Sequence, residues 1–321
     1  MQIFQCPSCG APLYFHNTSC TCGQQVCFDP DAQRMVPLTR PCANRDLIAC
    51  NWMADTGELC RSCAMTEMRP DLREDGNRPL WETSERAKRW MLANLARWGW
   101  FTPADPGDRP VFKLLSEQTA AGQQDITMGH ANGVITINVT EASDAVLATR
   151  QEELGELYRT MLGHMRHETA HFLQLRLAGS PAFLEEFRAL FGDERSDYGA
   201  SLKRHYADPQ PADETHITSY ATAHPHEDWA ETIAHLLHLI DLVDSAAAAG
   251  LALPGGPPAG HDAYAATDTE AEITMAIDLS IAMNHVNRAM DLPDLYPFVL
   301  AQGVRDKLTF AHGWLRRNGH G

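Results

Sequence analysis

Beyond Cys63 the 321-residue chain contains no cysteine, although that residue is the ninth of nine in the first 63 positions. Residues 1–67 contain no lysine, and their four arginines (Arg34, Arg40, Arg45, Arg61) stand against six acids (Asp29, Asp31, Asp46, Asp55, Glu58, Glu67). The whole chain carries a formal charge of −16. A protein this short of positive charge lacks the electrostatic footprint of a nucleic-acid binder or of a protein held on anionic lipid. No apolar run of membrane-spanning length stands out, and the opening Met1-Gln2-Ile3-Phe4-Gln5-Cys6 has no basic-then-apolar leader pattern. Internal repeats and phosphate-cradling glycine loops are missing as well. These absences predict no nucleic-acid partner, no membrane partner and a cytoplasmic location. Disulfides are rare there, so clustered cysteines are read first as metal ligands. Disorder is excluded on different grounds: 44% hydrophobic and 21% charged residues are ordinary for a globular chain.

The cysteines group as Cys6-Pro7-Ser8-Cys9-Gly10 and Cys20-Thr21-Cys22-Gly23, then Cys42, Cys50 and Cys60-Arg61-Ser62-Cys63. A CxxCG knuckle turns tightly so that backbone amides face the thiolates, and the glycine relieves the turn. Four thiolates close a tetrahedral site and leave no position open, so such sites are structural. Cys6, Cys9, Cys20 and Cys22 are expected to hold one zinc, and Cys42, Cys50, Cys60 and Cys63 a second. Cys27 is left over and reads as a small buried hydrophobe. Each four-thiolate site adds two negative charges, which further disfavours nucleic acid and points to protein contact or structural bracing for this module.

Further along lies Arg166-His167-Glu168-Thr169-Ala170-His171-Phe172, an HExxH pattern in a segment that reads as helix. Four residues turn a helix by about 400°, so His167 and His171 share a face one turn apart. Two imidazoles so placed can chelate one zinc, with Glu168 at the rim to handle a proton. The helix is expected from about Arg150 to Ala178, with Leu154, Leu157, Met161, Leu162, Met165, Phe172 and Leu175 apolar at helical spacing. His164 lies on the same stripe and reads as a supporting or satisfied core histidine rather than a ligand. Burying that polar stripe unpaired would cost several kcal/mol, which a metal there would relieve.

The remaining pattern sets this helix in an α+β, mainly helical domain with a small sheet. The polar stretch Arg69 to Pro79 reads as a linker, giving a zinc-ribbon module over 1–68 and a second domain over 80–321. An amphipathic helix is expected from Thr83 or Ser84 to about Trp98, carrying Trp90, Leu92, Leu95 and Trp98 on one side. Val111–Leu115 and Gly133–Asn138 read as strands. Gly179-Ser180-Pro181 stops one helix and starts the next. Ala246 to Gly260 reads as a surface loop or lid. Thr267 opens a capping box and a helix to about Met290, with Ile273, Ile277, Ile281 and Met283 as its apolar stripe. A last helix covers about Val304 to Arg317.

A third ligand is sought downstream. In Ser219-Tyr220-Ala221-Thr222-Ala223-His224-Pro225-His226-Glu227-Asp228-Trp229-Ala230-Glu231, Pro225 suits a first helical position. The helix then runs to about Asp244 with Glu227, Glu231 and His238 on one face. Two glutamates a turn apart repel mildly unless a cation lies beside them. Glu227 as ligand, with Glu231 bonding the free nitrogen of a ligating histidine, removes that conflict. Asp228, His224 and His226 compete for the role, and helix geometry puts Glu227 ahead.

HExxH followed by a downstream helical glutamate resembles the gluzincin pattern, and Ser219-Tyr220 through Glu231 looks like the anthrax lethal factor branch. There a tyrosine seven residues before the ligand glutamate assists catalysis. Over nearly its full length the chain is similar to bacterial zinc-binding metallopeptidases with an N-terminal zinc ribbon. The matching stretches are Cys6-Pro7-Ser8-Cys9, Cys42-Ala43-Asn44-Arg45-Asp46, Cys50-Asn51-Trp52, Tyr158-Arg159-Thr160 through His171, Glu227 to Glu231, and Asp294-Leu295-Tyr296-Pro297-Phe298. One departure is Cys20-Thr21-Cys22, where that family's second knuckle is CxxC. The resemblance implies zinc on His167, His171 and Glu227, a general base at Glu168 and an oxyanion-stabilising Tyr220. It also implies hydrolysis of a peptide or protein substrate and one catalytic beside two structural zincs. The rival expectation, from another class, is a non-enzymatic interaction protein that docks partners through its ribbons and keeps a vestigial metal site.

Overall fold

The computed structural model describes residues 1–154 and 160–317, with backbone only for 152–154. Leu157, Tyr158 and Arg159, and the side chain of Leu154, therefore lie outside the described residues. Two compact units emerge, residues 2–172 and residues 173–321 together with Met1, so that the division falls within one helix.

The first unit begins with the short pair β1 (Phe4–Gln5) and β2 (Pro12–Leu13), then the hairpin β3 (Val26–Asp29) and β4 (Arg34–Pro37). Gly10, at φ +73°, completes the first knuckle and donates from its N–H to the Cys6 carbonyl at 2.9 Å. Two single-turn helices follow, α1 (Arg45–Ile48) and α2 (Arg61–Ala64), then β5 (Thr66–Met68). Phe15 and Phe28 pack edge to face at 4.8 Å, and Phe28 lies tilted against Trp52 at 5.9 Å, which forms the core of this small region.

Helix α3 spans Asn77–Ala96 and begins six residues before Thr83. The apparent linker ends inside it because the early polar residues are tethered. Asn77 is 1% exposed, donates to the Asp71 and Gln118 carbonyls, and accepts from the Ser116 hydroxyl at 2.6 Å. Pro79 is tolerated because the first N–H groups of a helix have no intrahelical acceptor. Leu92 and Leu95 are buried as expected, and so is Trp98 just past the helix.

Then come β6 (Val111–Leu115), the hairpin β7 (Gln118–Thr119) and β8 (Gly122–Gln123), β9 (Gly129–Ala131) and β10 (Val134–Asn138). The sheet order is β5-β6-β10-β9, with β6 parallel to both β5 and β10 and β9 antiparallel at the edge. Both strands expected from sequence are present, β10 starting one residue late. Helix α4 spans Asp144–Leu154 and α5 spans Met161–Leu177. The expected single helix from Arg150 is thus two. Thr160 Oγ1 accepts from the Gly163 N–H at 2.9 Å, a capping bond that opens α5 afresh. Met165, Ala170 and Phe172 are buried, while Leu175 is 53% exposed and leaves the expected apolar set.

The second unit contains α6 (Pro181–Phe191), α7 (Tyr198–Ala207), α8 (Pro225–Ala249), α9 (Thr269–Ala289) and α10 (Gln302–Arg316). Its core is aromatic: Phe183, Phe187, Phe191, Trp229, Phe310 and Trp314 pack ring against ring at 4.7–6.3 Å. Helix α8 runs five residues past Asp244 because Ser245–Ala249 is a strong helix-forming segment, and Gly250 at φ +70° ends it. The loop expected from Ala246 therefore starts four residues later. By length and composition α8 could cross a bilayer, yet 67% of its most apolar window is buried, as in a core helix. The cap of α9 is Asp268, which accepts from the Ala271 N–H at 3.1 Å, rather than Thr267. Its buried face is Ile273, Ala276, Leu279, Ser280 and Asn284, while Ile281 is 62% exposed.

His312 on α10 is 1% exposed and its Nδ1 lies 2.8 Å from the Thr269 hydroxyl on α9. Burial, assisted by the nearby Arg316 charge, lowers its pKa from 6.5 to about 4. Between those values the unfolded chain binds the extra proton and the folded one does not, so this contribution is full above pH 6.5 and fades as pH falls towards 4. Denaturant midpoints measured from pH 7.5 to 4 should fall less steeply in His312→Gln than in the unsubstituted protein.

Candidate metal centre

The cysteine module brings its thiols together in the two expected sets. The Sγ atoms of Cys6, Cys9, Cys20 and Cys22 form one group, and those of Cys42, Cys50, Cys60 and Cys63 another, all within 4.8 Å of one another in each. The CxC spacing of Cys20 and Cys22 does not prevent closure: Cys6 and Cys22 stand 3.8 Å apart, and Cys9 and Cys20 3.7 Å. The Cys22 backbone N–H draws the Cys20 thiol down to about 6, towards the thiolate that binds metal. In the second set the amides of Cys60 and Cys63 point at the sulfurs of Cys42 and Cys60 at 3.3 and 3.4 Å. All four cysteines of this set are buried, whereas Cys9 and Cys22 are exposed. Cys27 joins neither set. It is 0% exposed, with Sγ 3.8 Å from the Pro37 carbonyl oxygen, the small buried hydrophobe expected.

Helix α5 carries His167, Glu168 and His171. The rings of His167 and His171 lie 5.0 Å apart at 78°, as i, i+4 placement requires. Helix α8 carries Glu227 in its first turn. His224 caps this helix through Nδ1, which accepts from the His226 N–H at 3.1 Å, and Pro225 occupies the first helical position. One ligand atom each from His167, His171 and Glu227 all lie within 4.8 Å of one another. Zinc bonds of about 2.1 Å in a tetrahedron would put ligand atoms about 3.4 Å apart, so these three residues fit as holders of such an ion. Two imidazoles and a carboxylate, with a position left over, are the donor set of a catalytic zinc. Glu168 is 8% exposed, and its Oε2 has no hydrogen-bond partner among the described residues. A buried carboxylate oxygen without a donor calls for an explanation in what the site does.

The competing candidates have other partners. His164 Nε2 lies 2.9 Å from the fully buried Glu141, which also pairs with Arg150. Asp228 accepts from Lys307 Nζ at 2.5 Å. His224 Nε2 donates to the Ser196 hydroxyl at 2.9 Å, and His226 Nδ1 donates to Gln174 at 2.7 Å. Glu231 accepts from the Thr218 hydroxyl at 2.8 Å, and that hydroxyl also accepts from the Ala221 N–H. Thr218 thereby ties α8 to the 3-10 turn Tyr220–Ala223, which carries Tyr220. Burial, and then the charge of Glu227, push the Tyr220 hydroxyl far above its ordinary pKa, so it remains a donor. The sequence reading missed Tyr198, whose hydroxyl donates to Glu227 Oε1 at 2.7 Å. Nothing in its spacing signals this, because Tyr198 stands on another helix 29 residues upstream.

Comparison with known proteins agrees with this organisation. The model of a zinc-ribbon domain matches residues 3–74, and that of a family described as "Putative zinc-binding metallo-peptidase" matches residues 77–314. Uncharacterized proteins of Mycobacterium tuberculosis and Mycobacterium bovis are 37% identical over 327 residues, covering 97% of this chain and 94% of each relative. No solved structure matches the chain. A match over most of the sequence, with relatives matched over 94% of their length, establishes that the chain belongs to the family so described.

Proposed function

We propose that this protein is a gluzincin-type zinc metallopeptidase, with a site like that of the anthrax lethal factor branch, acting on a peptide or protein substrate. The observation that carries the reading is the convergence of His167, His171 and Glu227 beside a buried, unpaired Glu168 oxygen. His167, His171 and Glu227 would hold the zinc, which when bound polarises the scissile carbonyl and brings the pKa of water down to about 7. Glu168 takes the proton from the attacking water and delivers it to the leaving amine. The Tyr220 hydroxyl, seven residues before Glu227, donates to the oxyanion that develops on the carbonyl oxygen. Glu231 and His164 support the ligand helices rather than bind metal. The cysteine sets Cys6/Cys9/Cys20/Cys22 and Cys42/Cys50/Cys60/Cys63 hold two structural zincs, and their module offers a surface for a protein partner.

The alternative, an interaction protein with a vestigial site, shares the two cysteine zincs and differs in the third. Metal counting therefore separates the two. Elemental analysis of protein purified without added metal should give three zincs per chain, and His167→Ala should give two. Two zincs in both proteins would favour the interaction protein.

A further inference from the structure

We infer that Tyr198 is a positioning residue for the carboxylate of Glu227, one that sets the affinity of the site for its metal. The inference rests on the metallopeptidase reading of that site. Glu227 is 1% exposed, and a carboxylate that deep needs donors for the oxygen not given to a metal. The Tyr198 hydroxyl supplies one at 2.7 Å, the length of a charge-assisted bond. That bond fixes the orientation of the carboxylate, and a ligand held less firmly binds metal less well.

The hydroxyl is itself held in place. Tyr198 is the first residue of α7, which Asp197 caps by accepting from the Ala200 N–H at 2.9 Å. The Tyr198 ring packs edge-on against His224 at 5.2 Å and 85°. His224 is the cap of α8, and its Nε2 is bonded to Ser196. Residues 196–198 thus grip the start of α8 at two points, Ser196 on His224 and Tyr198 on Glu227. The grip fixes both the helix end and the ligand carboxylate three residues into it. Tyr198 is nevertheless 42% exposed, so its ring is no core element and loss of the hydroxyl should spare the fold.

The test is metal affinity in Tyr198→Phe, measured by competition with a chromophoric chelator. The dissociation constant of the third metal should rise roughly 10- to 100-fold. The two cysteine sites should keep theirs, and the thermal midpoint should not move. In a Glu227→Ala background the same substitution should weaken binding no further, because the acceptor of the Tyr198 hydroxyl is gone. Unchanged affinity in Tyr198→Phe, or equal weakening in the Glu227→Ala background, would each overturn the positioning role. A wild-type protein that binds no third metal would instead overturn the metallopeptidase reading on which the inference stands.

Discussion

Glu168→Gln should purify with its full complement of metal and with kcat for peptide hydrolysis lowered by roughly 10²- to 10⁴-fold, the usual worth of a positioned general base. The substitution is nearly isosteric and keeps the buried volume next to His167. It removes only the capacity to accept and return a proton at neutral pH. Because Glu168 is not among the ligand atoms that converge, zinc content should stay as in the parent protein. The orphaned Oε2 makes the variant informative for stability as well. A buried carboxylate oxygen with no donor is a liability in the fold, and a neutral amide at the same place should leave the unfolding midpoint equal or higher. Activity and stability are thus expected to move in opposite directions, as they do where a site is arranged for chemistry rather than for packing. Full activity in Glu168→Gln would sink the mechanism.

What could be read from sequence followed from short-range rules. The two cysteine sets came from spacing and compartment, and the paired histidines from the i, i+4 geometry of α5. Glu227 was picked out by Pro225 at the start of α8, again a local rule. The errors were also local, and each has a physical source. Polar tethers at Asn77 made helix out of an apparent linker. Thr160 opened α5 where periodicity alone ran straight through. Asp268 won the cap that Thr267 was given, since a carboxylate at that position reaches the Ala271 N–H. Ile281 was assigned to a buried stripe on composition, and the face of α9 that packs is set instead by Ile273, Ala276 and Leu279. What no local rule could deliver was the partner of each charged group. Tyr198 on Glu227, Lys307 on Asp228 and Glu141 on His164 join residues 29, 79 and 23 apart. Such pairs join residues far apart in sequence, and they are written in the fold rather than in the spacing.

The second large effect is expected in the cysteine module, where the two zinc sites should respond very differently to loss of one ligand. Cys50→Ser is expected to release its zinc and unfold the module, whereas Cys22→Ser is expected to weaken its zinc and leave the fold standing. The difference follows from burial. Cys42, Cys50, Cys60 and Cys63 are each no more than 2% exposed, and behind them lies Arg89, 0% exposed. Burial pulls the Arg89 pKa down, but the charges that Cys50, Glu85, Cys63 and Cys60 carry when ionised hold it above the ordinary value. Its Nε donates to Asn51, while Nη1 and Nη2 have no hydrogen-bond partner among the described residues. Four thiolates around one Zn²⁺ carry a net double negative charge, which is the counter-charge this buried guanidinium needs. Removing one thiolate and the metal leaves two buried cations, Arg89 and Lys88, with Glu85 alone as counter-charge, an arrangement that costs several kcal/mol. Structural zinc sites of this kind supply roughly 10–16 kcal/mol of binding free energy, as much as or more than the net stability of a typical domain. Cys9 and Cys22 are exposed, by contrast, so water can solvate whatever the first site loses. Zinc release by a chelator from His167→Ala protein, which keeps only the cysteine-held zincs, followed with a colorimetric indicator alongside circular dichroism, should therefore show two steps: a faster loss with little change in ellipticity, then a slower loss that coincides with unfolding. A single step, or unfolding of Cys22→Ser to the same extent as Cys50→Ser, would mean that burial does not set the two sites apart.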